Sequence, residues 1–396
     1  MAEGDILVVG GGLGAFRVAE QLRRRGHAGR ITILGAEPHL PYDRPPLSKQ
    51  VLRGESESGP FPGIDALDVQ WVLGTRAISL DVVDMEVLAD DGGSYRYDIL
   101  VLAPGGRPRT PIWLDQGAGV HVLRTIDDAV ALRDSLRPNG RLIIVGAGFI
   151  GCEIAASARQ VGAEVDLVEA LPAPLVRVLG PQASSKVADL HEAHGVRLHT
   201  GAMIAEVLRH ADGHVRGVRL DNGTVIDGDA VVVGIGIIPE VDWLVESGIE
   251  LRDGIVCDST GQTSAPNVFA LGDAAQWWHD LAGGHRRVEH WTTTADQAAA
   301  IAANIMRDPA EAPVTLGAAP YFWSDQYDIK IQGLGFIDPT DDIDELVIRE
   351  RTVLLYSRGG ILRGTVGFSI PGAVMRTKAL IERGAPLTEA IALLTT

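Results

Sequence analysis

The chain has 396 residues, enough for two or three domains, and its 46% hydrophobic and 22% charged content is that of a globular protein. A formal net charge of −17 argues against nucleic acid or an anionic membrane as the main partner. No apolar run reaches the ~18 residues of a membrane-crossing helix, and the N-terminus lacks the pattern of a secretion signal. Cys152 and Cys257 have no CXXC or paired spacing, which argues against a disulfide framework or a thiolate metal site. These features point to the cytoplasm, and no His/Cys/Asp spacing suggests a metal.

In chain order, residues 6–9 predict an apolar strand. Gly10-X-Gly12-X-X-Ala15 follows, then a helix through 25 and a strand at 31–34. Such a strand, turn, helix and strand make a dinucleotide-binding unit, and alanine is tolerated at its third glycine position. Gly35 and Ala36 follow the second strand, so Glu37 is the first carboxylate able to take a ribose hydroxyl. Residues 39–49 carry adjacent prolines that stiffen a loop bearing Arg44 and Lys49. Arg44 suits a pyrophosphate, whose oxygens accept paired hydrogen bonds; a solvated surface loop is the alternative. Residues 81–116 read as short strands, with 97–106 rejoining the first sheet and 108–124 leading onward.

The most informative stretch is 141–169. An apolar run at 142–145 enters Gly146-X-Gly148-X-X-Gly151, a helical segment follows, and a second apolar run at 165–168 stops on Glu169. Gly146 allows the turn, Gly148 lets backbone N–H groups approach a pyrophosphate, and Gly151 lets helix and sheet pack closely. Glu169 is placed for a ribose 2′-hydroxyl and would repel a 2′-phosphate. With Asp166 nearby and no arginine after the acid, the pattern favours NADH over NADPH. Cys152 lies in the helix's first turn, where packing explains it better than redox chemistry.

Beyond it, a helix over 182–194, a strand at 196–200 and a hairpin turn at Asp221-Asn222-Gly223 are predicted. The strand at 230–233 entering a glycine turn at 234–239 mirrors 103–108. Both read as crossovers, which makes the first nucleotide domain discontinuous. Asp273 follows a strand and glycine turn, as a helix cap or as a ligand to a ribityl hydroxyl. Helical spacing runs over 292–306. After 319 the composition changes: an aromatic cluster (Tyr321, Phe322, Trp323, Tyr327), alternating stretches at 346–348, 352–356 and 364–368, and a helix over 371–383 predict an α+β domain.

Two dinucleotide folds in one chain imply two dinucleotides with redox chemistry between them. Five separated motifs then agree with one family: PYDRPPLSK (41–49), GFIGCE (148–153), TSAPNVFALGDAA (263–275), EHWTTTADQA (289–298) and FWSDQYDIKIQG (322–333). From end to end the chain resembles the FAD-dependent NADH:ferredoxin reductases of the putidaredoxin reductase type, which feed Rieske-type oxygenases and cytochromes P450. The resemblance implies an α/β fold of glutathione-reductase-like architecture: two Rossmann-like domains plus the C-terminal α+β domain. Its expected boundaries are 1–111 with 238–318 for FAD, 112–237 for NAD and 319–396 for the interface domain.

The resemblance further implies that hydride passes from NADH to flavin N5 and that single electrons pass to a [2Fe–2S] ferredoxin. Gly10, Gly12, Leu13, Gly14, Ala15, Glu37, Ala103, Gly272 and Asp273 are expected on FAD, with Arg44 at its phosphates. Gly146, Gly148, Phe149, Ile150, Gly151 and Glu169 are expected on NAD, with Arg124 and Gly236 as further cofactor contacts. Lys49 and Glu153 are expected as an ion pair beside flavin N5, Trp291 by the isoalloxazine, and Trp323 between flavin and ferredoxin. His290 is expected to act through its backbone. A basic rim from Arg286, Arg287, Arg358, Arg363, Arg376, Lys378 and Arg383 would receive an acidic ferredoxin, the protein being a monomer or homodimer.

Departures from the family pattern are Pro104 in place of threonine, Tyr321 in place of a frequent tryptophan, and the Gly35-Ala36 pair before Glu37. Disulfide reductases need a redox cysteine pair, and NADH peroxidases and oxidases need a cysteine in the N-terminal region; neither is present. The remaining alternatives are a rubredoxin reductase and an NADH-responsive binding protein of the apoptosis-inducing-factor-like kind.

Overall fold

A computed structural model describes residues 4–111 and 117–395. The expected passage at 111–112 between the nucleotide domains, and the end of the 81–116 strand region, run into residues outside that range. The chain divides into two compact units, one of 1–43, 59–107 and 239–322, the other of 44–58, 108–238 and 323–396.

The first unit is built on a five-stranded parallel sheet in the order Val268–Ala270, Ile99–Leu102, Ile6–Val9, Ile31–Gly35, Gln70–Leu73. Every residue of the four strands from Val268–Ala270 to Ile31–Gly35 is buried, as a parallel sheet covered on both faces requires. Helix Leu13–Arg24 leaves the first glycine turn and packs against helix Trp291–Met306. A three-stranded meander (Ala77–Asp81, Glu86–Ala89, Ser94–Arg96) and a four-stranded sheet complete the unit. In the latter, Trp277 is fully buried and donates its indole N–H to the Ala270 carbonyl at 2.8 Å.

The second unit repeats the plan, with parallel order Val196–Thr200, Glu164–Glu169, Arg141–Val145, Ala230–Val233, Val120–Val122. Helix Ile126–Ser135 starts on a capping box made by Thr125 and Asp128. The hairpin turn expected at 221–223 joins Val215–Leu220 to Val225–Asp227, with Gly223 at φ +85°. A further sheet runs in the order Tyr321–Gln326, Ile329–Gly335, Ile361–Phe368, Arg351–Arg358, Asp342–Ile348. The fully buried Tyr356 donates its hydroxyl hydrogen to the Leu179 carbonyl at 2.6 Å, tying this sheet to helix Val176–Ala193.

Three local expectations change. The helix expected from 182 begins at Val176, because its first turn precedes a break at Gly180 (φ +75°) and Pro181 that hid it from periodicity. The helix expected over 371–383 splits into Pro371–Arg376 and Lys378–Glu382 around Thr377, whose Oγ1 lies 2.7 Å from the Val374 carbonyl oxygen and 2.9 Å from Thr365 Oγ1. A further helix, Leu387–Thr395, closes the chain. Asp273 caps no α-helix: it sits in a single 3-10 turn, Gly272–Ala274, that leads straight into strand Ala275–His279.

Candidate functional site

In the first unit, strand Ile6–Val9 delivers the chain to Gly10 at φ +117°. A Cβ there would lie 1.9 Å from the Ala103 carbonyl oxygen. A Cβ on Gly14 would lie 3.3 Å from Ala103 Cβ and the Leu271 side chain, and Ala15 is fully buried behind it. At Gly12, the residue before helix Leu13–Arg24, a Cβ would meet nothing within 4 Å. The turn is packed tightly beneath and open above, with the helix N–H groups facing the opening; a phosphate needs that arrangement.

Glu37 lies beyond the end of strand Ile31–Gly35, and its Oε2 accepts the Tyr42 hydroxyl hydrogen at 2.5 Å. Why the acid stands two residues late is visible at Gly35. A Cβ there would come within 3.2 Å of Gly11 Cα, so a glycine ends the strand to admit the nucleotide loop. Gly272, at φ +75°, donates its N–H to Gln297 Oε1 at 2.8 Å, and the Asp273 carbonyl accepts from Arg287 at 3.2 Å. Trp291 donates its indole N–H to Asp43 Oδ1 at 2.8 Å, and the Arg17 guanidinium lies 5.5 Å from its ring centroid. The His290 carbonyl accepts from Thr294 N at 3.0 Å, and burial pushes its imidazole down to about 4.

The second unit has the fuller fingerprint. Gly146 stands at φ +100° with the Gly234 carbonyl oxygen 2.5 Å from where its Cβ would be, and a Cβ on Gly151 would meet the Gly146 oxygen at 1.9 Å. Gly148 again faces open space, while Phe149 and the exposed Ile150 open the helix Phe149–Gln160. Glu169 is held rigidly: Oε2 accepts from Ala147 N at 2.7 Å and Oε1 from Leu171 N at 2.9 Å. Leu175, in the left-handed region at φ +58°, donates its N–H to the Ala147 carbonyl and pins the following loop to the same turn.

Asp166 takes no part in this turn. Its buried carboxylate accepts from Arg197 at 2.7 and 2.9 Å and from His199 at 2.8 Å. Burial, the largest influence, opposes its ionisation, but the bonds from His199 and Arg197 prevail and hold the carboxyl below its ordinary value. Asp166 is therefore engaged by the neighbouring strand, through Arg197 and His199, rather than by the glycine turn.

Also in this unit, Arg44 Nη1 donates to the Arg124 carbonyl at 2.5 Å, the Arg124 N–H donates to Asp128 Oδ2, and the Gly236 carbonyl accepts from Arg109 N. Lys49 and Glu153, 104 residues apart, form a buried ion pair with Nζ 2.6 Å from Oε2. Lys49 Nζ also donates to the Pro45 carbonyl at 3.0 Å. Ser48 Oγ donates to Glu153 Oε2 at 2.5 Å and Ser324 Oγ to Oε1 at 2.7 Å. Trp323, half-buried, sits beside Ser324 on strand Tyr321–Gln326.

Pyridine nucleotide-disulphide oxidoreductases as a family match residues 4–298, and the family described as the reductase C-terminal domain matches residues 321–393. Rhodocoxin reductase of Rhodococcus erythropolis is 36% identical over 85% of this chain and 79% of its own length. The ferredoxin–NAD(+) reductase component of the anthranilate 1,2-dioxygenase system of Burkholderia cepacia is 38% identical over 85% and 82%. The covalent putidaredoxin reductase–putidaredoxin complex superposes with a TM-score of 0.93 at 30% identity, covering both chains fully. The chain belongs to the ferredoxin reductases of the pyridine nucleotide-disulphide oxidoreductase family.

This reductase is an oxidoreductase of a family that uses FAD and NAD(H). Both glycine turns pass a direct test of fit: each has an inner glycine whose Cβ would strike a carbonyl and a middle glycine whose Cβ would meet only open space. Despite the family name it has no redox disulfide. Cys152 and Cys257 are both buried and unpaired, and burial raises both thiols well above their ordinary range. Among the described residues no group of His, Cys, Asp and Glu could hold a metal, and no helix is long and apolar enough to cross a membrane.

Sequence reasoning passed over Ser48, Ser324, Gln297, Asp43 and Arg17. The first four lie inside quoted motifs, but a side chain's value rests on the partner that folding brings to it. Arg17 and Asp43 flank Trp291 only in space.

Proposed function

We propose that this chain is an FAD-dependent NADH:[2Fe–2S] ferredoxin reductase that supplies a Rieske-type oxygenase or a cytochrome P450. The observation that carries the reading is its full-length superposition on putidaredoxin reductase in covalent complex with putidaredoxin. The names of its relatives, from rhodocoxin reductase to dioxygenase reductase components, support the same acceptor class. A rubredoxin reductase or an NADH-responsive binding protein remains the competing assignment, and fast ferredoxin-dependent turnover separates the two.

When bound, the flavin supplies the exchange between a two-electron donor and one-electron acceptors. The chain's own residues bind and orient. Gly10, Gly12, Leu13, Gly14, Ala15, Glu37, Ala103, Gly272 and Asp273 would hold FAD, with Arg44 at its phosphates, Arg124 fixing Arg44, and Trp291 at the ring. Gly146, Gly148, Phe149, Ile150, Gly151 and Glu169 would hold NADH, with Gly236 at the crossover. A rigid Glu169 would accept a ribose 2′-hydroxyl and would repel a 2′-phosphate. Lys49 and Glu153 present a buried charge pair that would orient the nicotinamide carboxamide, since catalysis here is mostly alignment.

The domain assignment that goes with this reading is 1–111 with 238–318 for FAD, 112–237 for NAD and 319–396 for the acceptor side. The cytoplasm is its compartment, in keeping with two thiols left unpaired. Trp323 would face the acceptor. The test is purified holoprotein supplied with NADH and a panel of [2Fe–2S] ferredoxins and rubredoxins. Saturable, NADH-driven reduction of a ferredoxin is expected; turnover with rubredoxin alone would overturn the acceptor assignment.

A further inference from the structure

Glu153 stands at the end of a buried chain of hydrogen bonds whose direction is fully determined. Its Oε1 accepts from Ser324 Oγ at 2.7 Å, and a carboxylate only accepts. Ser324 has one hydroxyl hydrogen, spent on Glu153, so Gln326 Nε2, 3.2 Å from Ser324 Oγ, is the donor there. That sets the Gln326 amide with Oε1 toward His191 Nε2 at 3.1 Å, so Nε2 carries the imidazole hydrogen. His191 Nδ1 is then an acceptor, and the Tyr327 hydroxyl, 3.1 Å away, donates to it. Ser324, Gln326 and His191 are completely buried, and Tyr327 is capped by the ring of His194 stacked at 3.6 Å. Burial pushes His191 down to about 4, which keeps the ring neutral near neutral pH and suits the single tautomer the chain requires.

We propose that Ser324, Gln326 and His191 are positioning residues for Glu153: they hold Oε1 so that Oε2 stays on Lys49. The role rests on the reading above of Lys49 and Glu153 as the pair that orients the nicotinamide. Strand Tyr321–Gln326 alternates, with Phe322, Ser324 and Gln326 buried and Tyr321, Trp323 and Asp325 half-buried. One strand therefore braces Glu153 through one face and carries Trp323 on the other.

The test uses 15N-histidine-labelled holoprotein, with His191 assigned by His191→Gln, alongside anaerobic mixing with NADH. Wild type is expected to show His191 as the neutral Nε2–H tautomer. Ser324→Ala is expected to mix the two neutral tautomers and to slow flavin reduction at saturating NADH by roughly ten-fold, since a bond to a charged group is lost. Its NAD+ dissociation constant should stay within about two-fold, as a kcat-side effect requires. Gln326→Met, which spares the Ser324–Glu153 bond, should disturb the tautomer with a smaller loss of rate, and it serves if Ser324→Ala does not fold. A charged or Nδ1–H His191 in wild type overturns the chain's direction. Unchanged reduction in a folded Ser324→Ala protein overturns the positioning role. If wild-type flavin is not reduced by NADH, the parent reading fails and the role with it, while the tautomer still decides the chain.

Discussion

Glu169 and Lys49 are single side chains on which the proposed chemistry turns. Two backbone N–H groups fix the Glu169 carboxylate, so in the proposed site it would not swing away from a 2′-phosphate. Glu169→Arg should narrow or reverse the preference for NADH in parallel kcat/KM measurements; equal use of NADPH by wild type would contradict the assignment. Lys49→Ala leaves Glu153 buried without its cation, and flavin reduction at saturating NADH should slow by roughly ten- to a hundred-fold in stopped flow. His191 predicts a pH effect on stability alone. Its folded value of about 4 lies below the ordinary 6.5. Between those values the unfolded chain binds a proton that the folded one does not, so stability falls as pH drops through that window. The loss is at most about 3 kcal/mol, and urea unfolding at about pH 7 and about pH 5 should show it shrink in His191→Gln.

At the scale of elements, the two glycine turns separate folding from binding. Gly146→Ala and Gly151→Ala would drive a methyl group into a carbonyl, while Gly148→Ala would meet only open space. Gly148→Ala should therefore melt like wild type yet lose roughly ten-fold or more in NADH affinity, whereas Gly146→Ala should lower the melting temperature; calorimetry and titration measure the two. These turns were legible in the sequence because their spacing is local and their strands are continuous apolar runs. What escaped was non-local. The Gly35 contact with Gly11 explains the displaced Glu37, and the engagement of Asp166 with Arg197 and His199 required knowing the neighbouring strand. The helix at Val176–Ala193 was clipped because a Gly-Pro break mimics a start, and the 371–383 helix was drawn too long because a buried threonine interrupts it without altering the apolar pattern.

For the whole molecule, a net charge of −17 makes docking of an acidic ferredoxin a local matter. Of the seven cations considered, Arg287 pairs with Asp253 and Glu289, Arg358 with Asp338 and Asp341, Lys378 with Glu382, and Arg383 with Glu389. Arg376 donates instead to the Leu393 carbonyl and, among the described residues, has no carboxylate partner. Reversing Arg376 to glutamate should raise the ferredoxin KM several-fold and flatten its salt dependence more than reversing Arg383, because rim charges act mainly on association. The central claim is that NADH reduces a flavin held by this chain and that the electrons then leave for an iron–sulfur protein. Anaerobic mixing of the yellow holoprotein with NADH, and separately with NADPH, tests it most directly. Rapid bleaching of the flavin band by NADH, slow bleaching by NADPH and return of colour on adding oxidised [2Fe–2S] ferredoxin are predicted. Slow reduction to a long-lived complex that ferredoxin does not reoxidise would contradict the account.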